Sequence, residues 1–232
     1  SMAAWELHTP RIPGHSYYLN VDSAMGLVGR DPGGIHVYDR SDSDGAMVAR
    51  FKGILEPYAL GWLAAIMAKR YSPEDPAYAD LEMNHRSAPI ALRAMRDFGH
   101  NNFCFDMHED RRTGQISERI GWMTEQNRGL FVGAIQTAML QGRFPVPSLG
   151  VVDTLKSFRY LETKEKRAEG PQDEDVILLG RWLYFQPMMG APTAPVPTFR
   201  ESIIEQLTGR RIADIREPES REDPNWYERP AI

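Results

Sequence analysis

The order of the predicted elements is the feature that most restricts the fold of this chain. Three strand-like segments, at 17–22, 35–38 and 46–51, come first and are joined by short turns rich in glycine and aspartate. This arrangement predicts an antiparallel meander. Helical and strand-like segments then alternate, beginning at Pro57, which suits the first turn of a helix. Strands followed by such an alternation predict a mixed α/β sheet flanked by helices.

Helices and strands are predicted along the rest of the chain as well. Hydrophobic spacing and turn residues predict helices at 57–70, 88–98, 127–141, 148–157 and 173–185, and strands at 78–83, 103–107 and 158–162. A hairpin tip is predicted at 111–114. Three tryptophans lie in elements that should pack, and we expect all three in the core: Trp62, Trp122 and Trp182.

Length and composition indicate one substantial domain with a tail. The chain has 232 residues, enough to bury a sizeable core. Residues 17–186 are predicted to form the domain, and residues 187–232 a proline-rich linker and tail with a short helix at 199–207. Residues 1–16 are expected to be a tag remnant, Ser1 and Met2, followed by an irregular lead-in.

Charge and cysteine content exclude several classes of protein. The single cysteine, Cys104, can form neither an intrachain disulfide nor a cysteine-rich zinc site. The longest apolar stretch, near 58–68, is too short to cross a membrane and predicts a buried helix. The net charge of −5 argues against a strongly basic nucleic-acid-binding domain. Arginine nevertheless dominates the basic residues, which suits phosphate contacts but also follows from a codon bias.

Acidic residues fall where a catalytic site would need them. Asp22 ends the first long strand, Glu82 ends the fourth, and the run 173–175 begins the last core helix. If the two strands are neighbours, both acids project from one edge of the sheet, and the helix brings Asp173 or Asp175 to them. Taken singly, an acid at a strand end is usually solvated, and acids at a helix start usually serve as caps.

Converging carboxylates have a defined chemistry. They repel one another and take up protons unless cations neutralise them. Oxygen ligands select Mg²⁺ or Mn²⁺. Two such ions, about 3.5–4 Å apart, activate water and stabilise the leaving oxygen in phosphodiester cleavage. The pattern therefore predicts a two-metal nuclease site in which no side chain acts as the nucleophile.

Several segments resemble the nuclease domains of tailed-phage large terminases. They are 18–26 with 29–31 and 35–40, then 79–85 with an acid closely followed by asparagine, then Gly121-Trp122-Met123-Thr124, and finally 172–176. The resemblance covers roughly residues 17–185. One departure concerns Gln172, which stands where the family often has histidine, so no role of that histidine is carried over.

The resemblance implies an RNase H-like fold and an endonuclease that cuts double-stranded DNA, trimming concatemeric viral genomes in the cytoplasm of the infected host cell. It implies Asp22, Glu82, Asp173 and Asp175 as the catalytic, metal-binding residues, with Glu174 in reserve. Positions 173 and 175 do not share a helix face, so one direct ligand is expected unless the helix begins between them.

The resemblance also implies partners. They are double-stranded DNA, a portal protein, a small terminase subunit and an ATPase domain. The chain has no G-x-x-x-x-G-K-[ST] phosphate loop, so the ATPase is expected outside it. Arg111 and Arg112, at the predicted hairpin tip, and Arg128 are predicted to contact DNA, although a solvated loop explains the hairpin pair equally well. Two alternatives stay open: another RNase H-like nuclease such as a junction resolvase, or a non-catalytic module that grips DNA or docks on a portal.

Overall fold

The computed structural model describes residues 4–24, 32–74, 77–84, 86–109, 116–143, 146–157 and 174–189. Its strands are β1 (Ala4–Leu7), β2 (Tyr17–Asp22), β3 (Gly33–Asp39), β4 (Met47–Gly53), β5 (Tyr78–Leu81), β6 (Phe105–Glu109) and β7 (Ile116–Ile120). Its helices are α1 (Pro57–Tyr71), α2 (Ala88–Asp97), α3 (Thr124–Leu140), α4 (Leu149–Ser157) and α5 (Glu174–Phe185), followed by a short 3₁₀ turn at Gln186–Met188.

Five strands form one mixed sheet in the order β1-β4-β3-β2-β5. Neighbours are antiparallel except β2 and β5, which run parallel. The predicted meander is confirmed as β2, β3 and β4. In its register, Asp22 lies opposite Gly34, and Gly34 lies opposite Lys52.

Helices cover both faces of this sheet. On one face, α1 and α2 pack over apolar strand residues that include Leu19, Val37 and Leu81. On the other face, α5 packs on β2 and β3, and α3 and α4 pack on α5. The second face holds Tyr18, Tyr38 and Trp182 in a stacked aromatic group, but its strands also present buried polar side chains.

The hairpin of β6 and β7 extends from the edge of the sheet that β5 forms. Single parallel bridges join Ala79 to Phe103 and Glu82 to Trp122, so both feet of the hairpin lie beside β5. Gly121 has a positive φ of 76°. A side chain there would clash with the Leu81 carbonyl, so only glycine lets the chain pass this close to β5.

Two expectations are wrong. The lead-in is not wholly irregular, because residues 4–7 form β1, whose Trp5 pairs with Phe51 at a ring distance of 5.1 Å. Four residues are too few for a period to stand out before the prolines that follow. Trp62 is not core: it is 40% exposed on α1, against Phe98. Trp122 and Trp182 are buried as predicted.

The remaining expectations concern the tail and membranes. The chain divides into Ser1–Pro192 and Thr193–Ile232. The predicted strand at 158–162 and helix at 199–207 lie outside the described residues. In the described part of the chain, no helix has the length and apolar character to span a bilayer.

Candidate active site

Asp22 ends β2 and Glu82 directly follows β5, and these two strands are adjacent and parallel. The β2–β5 register runs to Val21 opposite Leu81, and the Glu82 amide donates to the Val21 carbonyl at 2.9 Å. The next residue pair in this register is Asp22 and Glu82. The sequence-based expectation that their strands are neighbours is therefore met, and the two acids lie side by side at the carboxyl ends of the strands.

Both acids belong to the face of the sheet that α5 covers. Two residues earlier on β2, Asn20 donates its amide to the Leu178 carbonyl of α5 at 2.8 Å. Two residues earlier than Glu82, Asp80 accepts a hydrogen bond from Arg181 of α5 at 2.7 Å. Because side chains two apart on a strand share a face, Asp22 and Glu82 project toward α5. Both are partly buried.

Glu82 is held by two neighbouring donors. Asn84 donates its side-chain amide to Oε1 of Glu82 at 2.9 Å, and the Thr124 hydroxyl donates to the same oxygen. Thr124 begins α3, directly after the Gly121 turn and Met123. The second carboxylate oxygen, Oε2, receives no hydrogen bond from any described residue, and it is the oxygen that the geometry offers to a ligand.

Asp175 has a different environment from the one expected. It is 1% exposed. Its Oδ1 accepts hydrogen bonds from Arg50 Nε at 2.8 Å and His36 Nε2 at 2.9 Å, and its Oδ2 accepts from Arg50 Nη2 at 2.7 Å and Lys52 Nζ at 3.1 Å. Both oxygens are occupied by protein donors, so a divalent ion would have to displace them.

The electrostatics of this cluster agree with a structural role. Burial alone would raise the pKa of Asp175, but the hydrogen bonds from Arg50 and His36 hold that pKa well below its usual range. Burial also lowers the pKa of His36, against the pull of Asp175, so its imidazole stays neutral and donates through Nε2. Nδ1 of His36 then accepts from the Tyr38 hydroxyl at 2.9 Å.

Lys52 connects the cluster around Asp175 to the end of the sheet that carries Asp22 and Glu82. Its Nζ lies 3.2 Å from Glu174 Oε2, in addition to its contact with Asp175. Lys52 lies opposite Gly34, whose other neighbour across the sheet is Asp22. A side chain at position 34 would come within 2.8 Å of Leu178, so the glycine allows α5 to pack directly on β3 here. The first turn of α5 is thereby fixed against β3 and β4.

A second buried network ties α5 to β5. Asp80 accepts from Arg181 at 2.7 Å and from the Tyr18 hydroxyl at 2.6 Å. Burial raises the pKa of Asp80 in spite of the Arg181 charge, while the same ion pair raises the pKa of Arg181. Since both networks hold α5 against the sheet, the helix start has a defined position relative to Asp22 and Glu82.

The structure brings together only part of the predicted site. Within the described ranges, no group of three or more histidine, cysteine, aspartate and glutamate side chains is placed to hold a metal ion. Asp22 and Glu82 meet, Asp175 points into the buried cluster, and Asp173 lies outside the described residues. Arg111 and Arg112 lie outside them too, whereas Arg128 is half-buried in the first turns of α3.

Four residues that position the site were not predicted from the sequence. Thr124 and Asn84 stood in the segments that resemble a terminase, but the sequence suggested no contact with Glu82. His36 and Arg50 were not connected to Asp175. A signal did exist, because polar His36 and the pair Arg50 and Lys52 interrupt strands that are otherwise buried and apolar. Buried charges of this kind need partners.

The sheet order, the parallel β2–β5 pair and the helices on both faces define an RNase H-like fold. No family model and no curated protein matches the chain. Among solved structures, the chain is similar to the crystal structure of the large terminase nuclease from thermophilic phage G20c, with a TM-score of 0.56 and 16% sequence identity. The match covers 78% of this chain and 87% of that one. At this identity, the likeness establishes the fold.

Proposed function

We propose that this chain is a metal-dependent endonuclease of the large-terminase type that cleaves double-stranded DNA. One observation carries the proposal: Asp22 and Glu82 lie side by side at the carboxyl ends of parallel strands, on the face of the sheet that α5 covers. Likeness in fold to a terminase nuclease supports the same class of activity.

The proposed metal ligands are Asp22, Glu82 and Asp173, with Mg²⁺ or Mn²⁺ as the two ions. The donor set fits, because carboxylate oxygens are the ligands that these ions prefer. Bound ions would supply an activated water and neutralise charge on the phosphate. Asp175 is proposed as the anchor of α5 instead of a ligand, since Arg50, His36 and Lys52 already occupy its oxygens.

The other residues of the site act on these acids. Thr124 and Asn84 fix Oε1 of Glu82 and leave Oε2 for a ligand, which orients the carboxylate before any ion arrives. Lys52 holds Glu174 and Asp175 and so sets where α5 begins. Such outer contacts tune metal affinity through the ligands that they orient.

The biological setting belongs to the same proposal. As part of a terminase, the chain would cut concatemeric viral genomes in the host cytoplasm, joined to an ATPase domain and in contact with a portal protein and a small terminase subunit. Arg128 on α3, and Arg111 and Arg112 near the hairpin tip, are proposed to contact DNA. The fold of the phage G20c protein supports this setting through its own assignment as a large terminase nuclease.

Cleavage of supercoiled plasmid with Mn²⁺ or Mg²⁺ tests the proposal. The parent chain should nick and linearise the plasmid, and chelation should stop the reaction. Asp22→Asn and Glu82→Gln should each lose at least about 100-fold in rate, as expected when charge stabilisation in the transition state is removed. Asp153→Asn is the matched control, because the Asp153 side chain is exposed on α4 and pairs only with Lys156 among the described residues.

The alternatives give different results in this assay. A junction resolvase would cut four-way junctions in preference to plasmid or linear duplex. A non-catalytic module would bind DNA without cutting it under any metal condition. Equal activity of Asp22→Asn and the parent would contradict the proposed site.

A further inference from the structure

A groove of 490 Å³ opens at the β5 edge of the sheet, on the side that faces α2. It lies between the feet of the β6–β7 hairpin, α2 and the start of α3. Met83, which follows Glu82, and Met123, which precedes Thr124, both line it. Side chains alternate along a strand, so Met83 points away from the face to which Glu82 projects. The groove therefore reaches the segment that carries Glu82 from the α2 side and continues under the hairpin.

The walls of the groove combine apolar and cationic side chains. The apolar walls come from Met83, Met107, Met123, Leu92 and Ile120. Arg96 and Arg119 supply the cations, and neither has an acidic partner among the described residues. Arg96 lies over the Phe103 ring at 5.6 Å, which orients its guanidinium.

The other polar groups of the groove are already partly engaged. Asp106 lies 3.6 Å from Arg181 Nη1, which offsets its charge. Asn127 donates its amide to the Met123 carbonyl at 3.0 Å and keeps its amide oxygen. Arg119 lies opposite Asp106 in the β6–β7 register, so the two arginines outnumber the one described acidic residue that lines the groove.

The beginning of α3 lies at one end of the groove, where Met123 and Asn127 line it, and no side chain caps this helix. Free amides at a helix start favour an anion.

We propose that this groove binds one unpaired nucleotide of the DNA substrate, near the phosphate that is cut. The base would contact the methionine walls, and its phosphate would contact Arg96 and Arg119. Contact with a duplex backbone alone needs only exposed cations, whereas a concave apolar space of this size suits a compact ligand with a flat face. This inference rests on the proposed nuclease function and specifies its substrate.

A base can enter such a groove only after it leaves the helical stack. Unstacking costs least where a base is mismatched or bulged. The chain is therefore expected to bind and cut a duplex with one mismatch better than the matched duplex. Cleavage should fall within a few nucleotides of the mismatch, because Met83 and Met123 of the groove neighbour Glu82 and Thr124 in the chain.

Fluorescence of 2-aminopurine tests the inference without cleavage. The fluorophore is placed at the mismatch in a short duplex, and in a matched duplex of the same sequence. Binding is followed in parallel by anisotropy, in chelator at low salt. The fluorescence of the mismatched duplex should rise several-fold on binding by the parent chain. Arg96→Ala with Arg119→Ala, and separately Met107→Glu, should each reduce the rise and weaken binding at least 5-fold.

Arg93→Ala is the matched control. Arg93 lies on the same helix as Arg96, is 81% exposed, pairs with Asp97 and does not line the groove. It should behave as the parent does. Three results would overturn the inference: DNA bound by anisotropy with no rise in fluorescence, the same loss in Arg93→Ala as in the groove variants, or no binding of either duplex. Plasmid cleavage by a chain that shows any of these results would leave the nuclease proposal standing and remove only the groove.

Discussion

Arg50 on β4 donates hydrogen bonds of 2.8 and 2.7 Å to the two carboxylate oxygens of Asp175 in the first turn of α5. Because Asp175 is held by Arg50, the two described acidic residues of the run at 173–175 have different roles. Asp175 faces inward and holds the helix to the sheet. Glu174 contacts Lys52 on β4. Lys52 lies opposite Gly34 of β3, and Gly34 in turn pairs with Asp22 of β2. The stability of the fold and the geometry of the site therefore depend on the same helix turn.

Removing one partner of this pair should destabilise the protein strongly. Arg50→Met leaves a buried carboxylate without its main donor, and Asp175→Asn leaves a buried guanidinium without its counter-charge. Breaking a buried ion pair costs about 3–5 kcal/mol. Denaturant unfolding measures this change. Lys156→Met, which breaks an exposed pair on α4, is the control and should cost under about 1 kcal/mol.

The double variant Arg50→Met with Asp175→Leu separates charge from shape. Because it removes both charges together, it should be more stable than Arg50→Met alone. If Asp175→Asn unfolds at the same denaturant concentration as the parent, the anchoring role assigned to Asp175 is wrong.

Thr124 should affect catalysis through the orientation of Glu82. Thr124→Val keeps the shape of the side chain and removes the hydroxyl donor, so Glu82 loses one of the two hydrogen bonds to Oε1. Loss of such an outer contact costs about 10–100-fold in metal affinity or activity. The Mn²⁺ concentration that gives half-maximal cleavage should therefore increase.

Thr124→Ser is the matched rescue, because it restores the donor and should restore the parent Mn²⁺ dependence. A purely structural role for Thr124 predicts instead that both variants change stability and that neither changes the Mn²⁺ requirement.

His36 should make the fold sensitive to mild acid. Burial lowers the pKa of His36 in the folded protein from its ordinary value of 6.5. As the pH falls below 6.5, the unfolded chain takes up this proton before the folded protein does, so the free energy of unfolding decreases. The depressed pKa of Asp175 adds a further loss only below about pH 4, where the unfolded carboxyl is protonated.

Urea unfolding between about pH 8 and pH 5 measures the histidine effect, and His36→Gln isolates it. The difference in unfolding free energy between parent and variant should shrink as the pH falls through this range. A difference that stays constant with pH would show that His36 does not titrate on unfolding.

The isolated chain should bind duplex DNA weakly and without sequence preference. Its net charge of −5 opposes association with phosphates, and no described element resembles a base-reading helix. Fluorescence anisotropy at physiological salt should give dissociation constants in the micromolar range or weaker. Sub-micromolar binding, or a discrete cleavage pattern on linear DNA, would contradict this expectation.

The fold could be predicted well from the sequence because its signals are local and repeated. The meander, the helix at Pro57 and the acid at the end of each of the strands β2 and β5 follow from periodicity and turn chemistry. β1 could not be predicted, because four residues carry little pattern and its stability comes from pairing with β4. Trp62 was misplaced because helix periodicity alone does not tell a packed face from a partly covered one.

The site was predictable to the extent that it depends on strand ends. Asp22 and Glu82 lie side by side because β2 and β5 are parallel neighbours, a pairing that the sequence pattern left as a condition. The inward turn of Asp175 depends on His36 and Arg50, which are 139 and 125 residues away in the chain. No local pattern connects residues at such separations, so Asp173 and Asp175 looked equivalent in the sequence.

Anomalous diffraction from crystals soaked in Mn²⁺ tests the central claim most directly. Manganese should lie within coordination distance of Asp22 and Glu82, the latter through Oε2, with Asp173 as the third carboxylate. Asp175 should keep its hydrogen bonds to Arg50 and His36. Manganese bound to Asp175 in place of these partners, or no manganese between Asp22 and Glu82, would contradict the proposed site.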